Sequence, residues 1–244
     1  MKTAERHHLQ ENEVALALGH ANDFYSQNKT AILGLGGALL AAVVGLGAYT
    51  AWAGNRDAKS GAALAEAMVV MDSRVQPPAA PGTQPAGAPA QTPGTYPAEK
   101  AKLEAALPKF LAAADGYPSS PAGRLARFQA ASVLVSLGRF DEAAAQYQQL
   151  AGGSDVVGRM AALGKAEAQA RGGKYDEAIA TFKTLSEQKD GAVPVDGVLM
   201  HLARTYQLAG KPQDAQKTLT QLVEQHPESP FAAEAKQELD RIKG

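Results

Sequence analysis

The sequence predicts an all-α protein: an N-terminal transmembrane helix followed by a helical-repeat solenoid of stacked helix pairs. Three observations carry that reading. Alanine is abundant, aromatic residues make up 6% of the chain and cysteine is absent, a composition of closely packed helices rather than of a β-sandwich. No charged residue occurs between Lys29 and Arg56. One phrase is written three times, as GRFDEAAAQYQQL from Gly138, GKYDEAIATFKTL from Gly173 and, more loosely, GKPQDAQKTLTQL from Gly210.

The first segment, residues 1–29, places Val14, Leu18, Ala21 and Tyr25 at helical spacing, and it reads as an amphipathic helix in a cytoplasmic tail. His7, His8 and His20 have no carboxylate or cysteine framework at ligand spacing, so no metal site is expected there. Residues 30–55, TAILGLGGALLAAVVGLGAYTAWAGN, exceed the roughly 20 apolar residues that cross a bilayer. Tyr49 and Trp52 stand at the C-terminal end, where amphipathic rings favour the headgroup region. Ala51-Trp52-Ala53 resembles a signal-peptide cleavage site, but the long acidic tail and the length of the apolar run favour an uncleaved signal anchor. Lys29 on one side and Arg56 and Lys59 on the other leave the orientation undecided by charge. The short tail before a large C-terminal region favours a cytoplasmic N-terminus. Gly37, Ala41 and Gly45 form a small-xxx-small face that would let a second helix approach, although glycine and alanine are so common here that the spacing also arises by composition.

Residues 56–76 form a helix with Leu64, Met68 and Met71 on one face, read as the first half of a degenerate repeat. Residues 77–97 hold seven prolines and no charge, which predicts a semi-extended, disordered spacer loop. Residues 98–244 hold the repeats and a capping helix. Pro108 is expected to kink or restart the first of their helices, because proline lacks the amide proton that a helix interior uses.

Gly138, Gly173 and Gly210 lie 35 and 37 residues apart. Ala143, Ala178 and Ala215 follow at one fixed interval, then Tyr147, Phe182 and Leu219, then Leu150, Leu185 and Leu222. Glycine permits a tight turn between two helices, alanine lets them touch, and the larger residues fill the groove against the next unit. Asp141-Glu142 and Asp176-Glu177 fall in the first turn of a helix, where negative charge complements the macrodipole.

Catalysis finds no support. There is no GxSxG, P-loop, HExxH or strand-borne GxGxxG pattern, and His201 and His226 stand alone in the repeat region. No cofactor is implied, and the protein is read as a non-enzyme. The net charge of −1 gives no global footprint for nucleic acid.

These copies resemble tetratricopeptide repeats, whose period is near 34 residues. The third matches best, with Leu202, Ala203, Tyr206, Gly210, Ala215 and Pro227 at consensus positions; Leu134 and Gln169 replace the usual tyrosine in the first two. QHPESPFAAEAKQEL echoes GYPSSPAGRLARFQA, so the end of the chain reads as the capping helix. The layout as a whole, FYSQNK, a Gly/Ala span ending AYTAW, then KFLAAA, GRFDEAAAQY and GKYDEAIATF, is similar to the single-span periplasmic tetratricopeptide family of ancillary SecYEG translocon subunits. The proline-rich insertion departs from that family. The resemblance implies an inner-membrane anchor, repeats in the periplasm, and translocon subunits, periplasmic chaperones or secreted chains as protein partners. The YPSSP and HPESP phrases also resemble repeats of envelope and outer-membrane assembly scaffolds, which remains the alternative.

The first helix of each pair is expected to line a concave partner-binding groove. Its inward positions are Phe128, Ser132 and Val135, then Met160, Leu163 and Glu167, then Met200, Arg204 and Gln207, a mixture suited to an extended peptide or a partner helix. Some of these residues would alternatively pack only against neighbouring helices.

Overall fold

The computed structural model describes residues 3–78, 92–188 and 193–243, with side chains from Gln27 onward apart from 31, 32, 36 and 243. The chain divides into two compact units, Met1–Arg56 and Asp57–Gly244.

Helix α1 runs Thr3–Met71, with non-helical backbone at Asn28 (φ −114°, ψ 17°). Within the first unit this is one helix long and apolar enough to cross a membrane by length and composition. Leu39, Leu40, Val43, Val44 and Leu46 on one side of it and Tyr49 and Trp52 on the other are all exposed, unlike a soluble helix, which hides one face. A Cβ added at Gly37 or Gly45 would meet nothing within 4 Å. The expected amphipathic surface before Asn28 and His7, His8 and His20 depend on side chains outside the described residues.

In the second unit the end of α1 packs through Leu64, Ala67, Met68 and Val70 against α2 (Glu99–Gly116), meeting Leu103, Ala106, Leu107 and Phe110. Glu66 and Lys109 form an ion pair across the two helices. Between them lie two two-residue strands, β1 (Arg74–Val75) and β2 (Thr95–Tyr96), paired in parallel. Gln76 N–H donates to the Tyr96 carbonyl at 2.8 Å, and the Tyr96 ring packs onto the adjoining core. The proline-rich stretch is thus inserted between the end of α1 and α2, with its flanks hydrogen-bonded side by side. Its residues 79–91 lie outside the described ones.

Six further helices follow in pairs: α3 (Pro121–Ser136) with α4 (Phe140–Ala151), α5 (Val156–Arg171) with α6 (Tyr175–Ser186), and α7 (Val195–Leu208) with α8 (Pro212–Gln225). Helix α9 (Ala232–Lys243) closes the order among the described residues. Pro108 neither breaks nor restarts α2. The carbonyl that it leaves without an amide partner belongs to Glu104, an exposed residue, where solvent can reach it.

The three repeat glycines do what their spacing predicts. Gly138, Gly173 and Gly210 have φ of 74°, 79° and 70°, a region costly to residues with a Cβ. Each ends its helix with the same wrap. The amides of Arg139, Lys174 and Lys211 reach back to the carbonyls of Leu134, Gln169 and Tyr206 at 2.9, 2.8 and 2.8 Å, the long bond of a Schellman motif. Three residues separate the helices of each pair, and the second helix starts two residues after the glycine. Ala143, Ala178 and Ala215 are fully buried at the helix–helix contact, and Phe182 and Leu219 fill the layers between pairs.

A second repeated signal marks the starts of α3 and α5. Gly123 and Gly158 each stand three residues after a capping side chain. Ser120 Oγ accepts from Gly123 N–H at 3.0 Å, and Asp155 Oδ1 accepts from Gly158 N–H at 2.9 Å. The preceding loop folds so tightly over these turns that a Cβ would lie 1.8 Å from the Tyr117 carbonyl oxygen at Gly123, or 2.1 Å from that of Gly153 at Gly158.

Candidate partner-binding surface

The first helices of successive pairs pack on one another, α3 on α5 and α5 on α7, whereas α4, α6 and α8 do not pack together comparably. The first helices therefore form the crowded inner side of the stack. Counting back from each turn glycine sorts their residues into equivalent rows.

One row is Phe128, Leu163 and Met200. Phe128 is half-buried and meets the Tyr147 ring edge-on, with centroids 5.3 Å apart. Leu163 is half-buried against the cluster of Phe182, Val198 and Leu202. Met200 is 1% exposed, enclosed with Leu219, Leu222, Ala235 and Leu239. Met200 is thus no groove residue: α9 stacks on this position and makes it core.

The next row is Ser132, Glu167 and Arg204, and the last two reach the following unit. Ser132 faces Tyr147 of its own pair, whose hydroxyl burial holds above its usual pKa. Glu167 Oε1 lies 3.3 Å from His201 Nε2 on α7. Arg204 binds Glu234 at 2.6 Å and Glu238 at 3.4 Å, both on α9. In the last row Val135 is half-buried in the core, and Gln207 Nε2 donates to Glu238 Oε2 at 3.0 Å. Helix α9 therefore occupies the face of the third pair on which Met200, Arg204 and Gln207 were expected to receive a partner.

What stays open lies at the beginnings of α3 and α5. Met160 is 37% exposed, and beside it in the repeat register stand Leu125 at 43% and Val156 at 61%. Leu125 and Val156 were not among the expected groove residues, because a local pattern does not show which apolar positions a neighbouring helix leaves uncovered. Across this opening the Arg124 guanidinium grips Asp155 with two bonds of 2.6 and 2.8 Å. Those bonds and the Gly158 amide hold the Asp155 carboxyl at a pKa of about 2. The apolar patch is thus framed by a fixed, internally neutralised pair, which favours an apolar ligand over a charged one.

His201, expected as a lone surface residue, is an inter-repeat contact: its ring stacks on Phe182 at 5.8 Å and 8° besides pairing with Glu167. The first-turn acids do more than face a helix dipole. Asp141 binds Lys174 of the next unit at 2.9 Å, and Asp176 binds Lys211 at 2.6 Å, so the turn cation of one repeat holds the acid of the previous one. These partners raise the pKa of both lysines. Among the described residues no three His, Cys, Asp or Glu side chains come together as a metal site.

Two tetratricopeptide-repeat family models match the chain, over residues 128–192 and 173–239. Among solved structures, the TPR-like repeats of a Podosopora anserina chain described as a kinesin light chain are similar, at a TM-score of 0.50 and 16% identity. The match covers 58% of this chain and 77% of that one, and a singly substituted form of the same protein gives the same values. No curated protein matches the sequence. At that identity the structural likeness shows the fold alone. The repeats are tetratricopeptide repeats and the architecture an all-α solenoid, a scaffold that typically presents surfaces to other proteins and performs no catalysis itself.

Proposed function

We propose that the protein is a membrane-anchored, non-enzymatic adaptor that captures protein partners at the inner membrane. The observation that carries it is the coexistence, in one chain, of a helix apolar on all sides and a repeat stack with an uncovered apolar patch at Leu125, Val156 and Met160. A patch of this kind suits the apolar face of a helix or an extended segment. On the resemblance of the layout, the N-terminal tail lies in the cytoplasm and the repeats in the periplasm. The same resemblance makes the partners Sec translocon subunits, periplasmic chaperones or secreted chains.

Photo-crosslinking in intact membranes tests this, with the probe at Leu125, Met160 or Ala41 in turn. The first two sample the open patch, and the third samples the small-residue face Gly37–Ala41–Gly45. Adducts to translocon subunits or to a secreted chain support the adaptor reading and show which surface carries it. Adducts confined to outer-membrane assembly factors favour an envelope scaffold instead. A probe at Met200, enclosed as it is, serves as the silent control.

A further inference from the structure

The apolar run is longer than the membrane that it would cross. From Thr30 to Asn55 the helix rises about 38 Å at 1.5 Å per residue, against a hydrocarbon thickness of about 30 Å. Burying all of it requires a tilt of about 40°, the top of the observed range. From Thr30 to Tyr49 the rise is about 29 Å, which fits with almost no tilt. The structure punctuates the helix at those two places. Beside Lys29, Asn28 departs from helical backbone. At the other end Tyr49 and Trp52 lie with ring centroids 6.2 Å apart, and the Arg56 guanidinium sits over the Trp52 ring at 5.4 Å. These three residues follow at i, i+3 and i+7 and so share one helix face. Both rings are more than half exposed, Tyr49 at 62% and Trp52 at 55%.

We propose that Tyr49, Trp52 and Arg56 form a phospholipid-binding anchor that sets the membrane boundary, with the hydrocarbon ending at Tyr49 and residues 50–55 lying among the headgroups. This rests on the reading of residues 30–55 as a membrane span and narrows it. An indole is favoured at the interface because its ring is apolar and its N–H seeks a polar partner. A guanidinium on the ring's outer side stands one helical turn nearer to water than the indole, at the level of the phosphates. Its planar donors match two phosphate oxygens at once, while its charge is attracted to the ring face. Arg56 would thus bridge the indole and a lipid phosphodiester, and the bridge resists displacement of the helix in either direction. Upward movement exposes the indole to water; downward movement drags the guanidinium into hydrocarbon.

Trp52 is the chain's single tryptophan, so its fluorescence reports this place alone. The full-length protein is reconstituted into phosphatidylcholine vesicles containing a minority of phosphatidylglycerol. Quenching is then compared between lipids spin-labelled at the headgroup, high on the acyl chain and near its end. Strongest quenching by the shallow labels is the expected result, with a shift toward the deeper labels in Arg56→Gln and a smaller one in Arg56→Lys, which keeps the charge but not the planar fork. A maximum at the deepest label places Trp52 in the hydrocarbon and overturns the boundary. An unchanged profile in Arg56→Gln overturns the phosphate bridge. Protein that floats with the vesicles and resists alkaline extraction, yet shows no quenching, refutes the anchor and leaves the span standing. Protein that does not float at all refutes the span as well.

Discussion

At Gly164 packing against a side chain and helix propensity pull in opposite directions. It lies within α5, where alanine is favoured over glycine by about 1 kcal/mol. A Cβ there would lie 2.6 Å from Cζ of Tyr147 and 2.9 Å from both ring Cε atoms. Tyr147 is 5% exposed and held edge-on against Phe128, so the ring has little room to swing. Overpacking of this kind costs about 1–3 kcal/mol, which meets or exceeds the propensity gain. Gly164→Ala is therefore expected to leave stability unchanged at best and to lower it by as much as about 2 kcal/mol. For a unit of this size that is a fall in Tm of about 2–4 °C per kcal/mol. Gly61 is the internal control: it too is helical, but a Cβ there meets nothing within 4 Å. Gly61→Ala should show the uncompensated gain of about 1 kcal/mol. Thermal and urea unfolding of the detergent-solubilised chain, followed by circular dichroism, measures both variants. In a Tyr147→Ala background, Gly164→Ala should turn stabilising, a coupling that a double-mutant cycle isolates. Stabilisation by Gly164→Ala equal to that by Gly61→Ala, or an identical effect with and without the tyrosine ring, would refute the clash.

Gly173→Ala, at φ 79°, should cost about 1–2 kcal/mol without changing helical content in the folded state, read from the same urea transitions. Asp155→Asn keeps a capping oxygen for the Gly158 amide but removes the charge that Arg124 grips. Because the folded pKa, about 2, lies below the ordinary 3.8, the charge stabilises fully above the ordinary value, and its contribution is lost as pH falls through about 2. The wild-type Tm should therefore drop more steeply than that of Asp155→Asn in acid, and parallel curves would show that the pair contributes nothing. Met200→Glu should unfold the C-terminal pair, since it places a carboxylate in the cluster beneath α9; a melting curve like that of the wild type would contradict its burial. Leu125→Glu with Met160→Glu should leave the melting curve intact and abolish capture of an apolar partner in pull-down. Capture that persists in that double variant puts the binding surface elsewhere.

The covalent rhythm of the fold is legible in the residues alone. Glycine at a fixed interval dictates left-handed backbone, and left-handed backbone ends a helix. Alanine and a large residue at set distances then dictate how the next helix lies, so Gly138, Gly173 and Gly210, with Ala143, Ala178 and Ala215, could be read locally. An uninterrupted apolar run needs no tertiary context either. Residues whose role depends on what comes to rest on them could not be read in that way. Met200 and Met160 look alike in the sequence; the stacking of α9 makes one core and leaves the other at the surface. Arg204 and Glu167 look like free groove charges until Glu234 and His201 arrive from the following helices. The pairing of Gln76 with Tyr96 was equally invisible, because a proline-rich stretch announces that it has no structure of its own but not where its two ends are held. These points emerge only on folding, because burial and ion pairing belong to two surfaces at once, and a local pattern specifies only one of them.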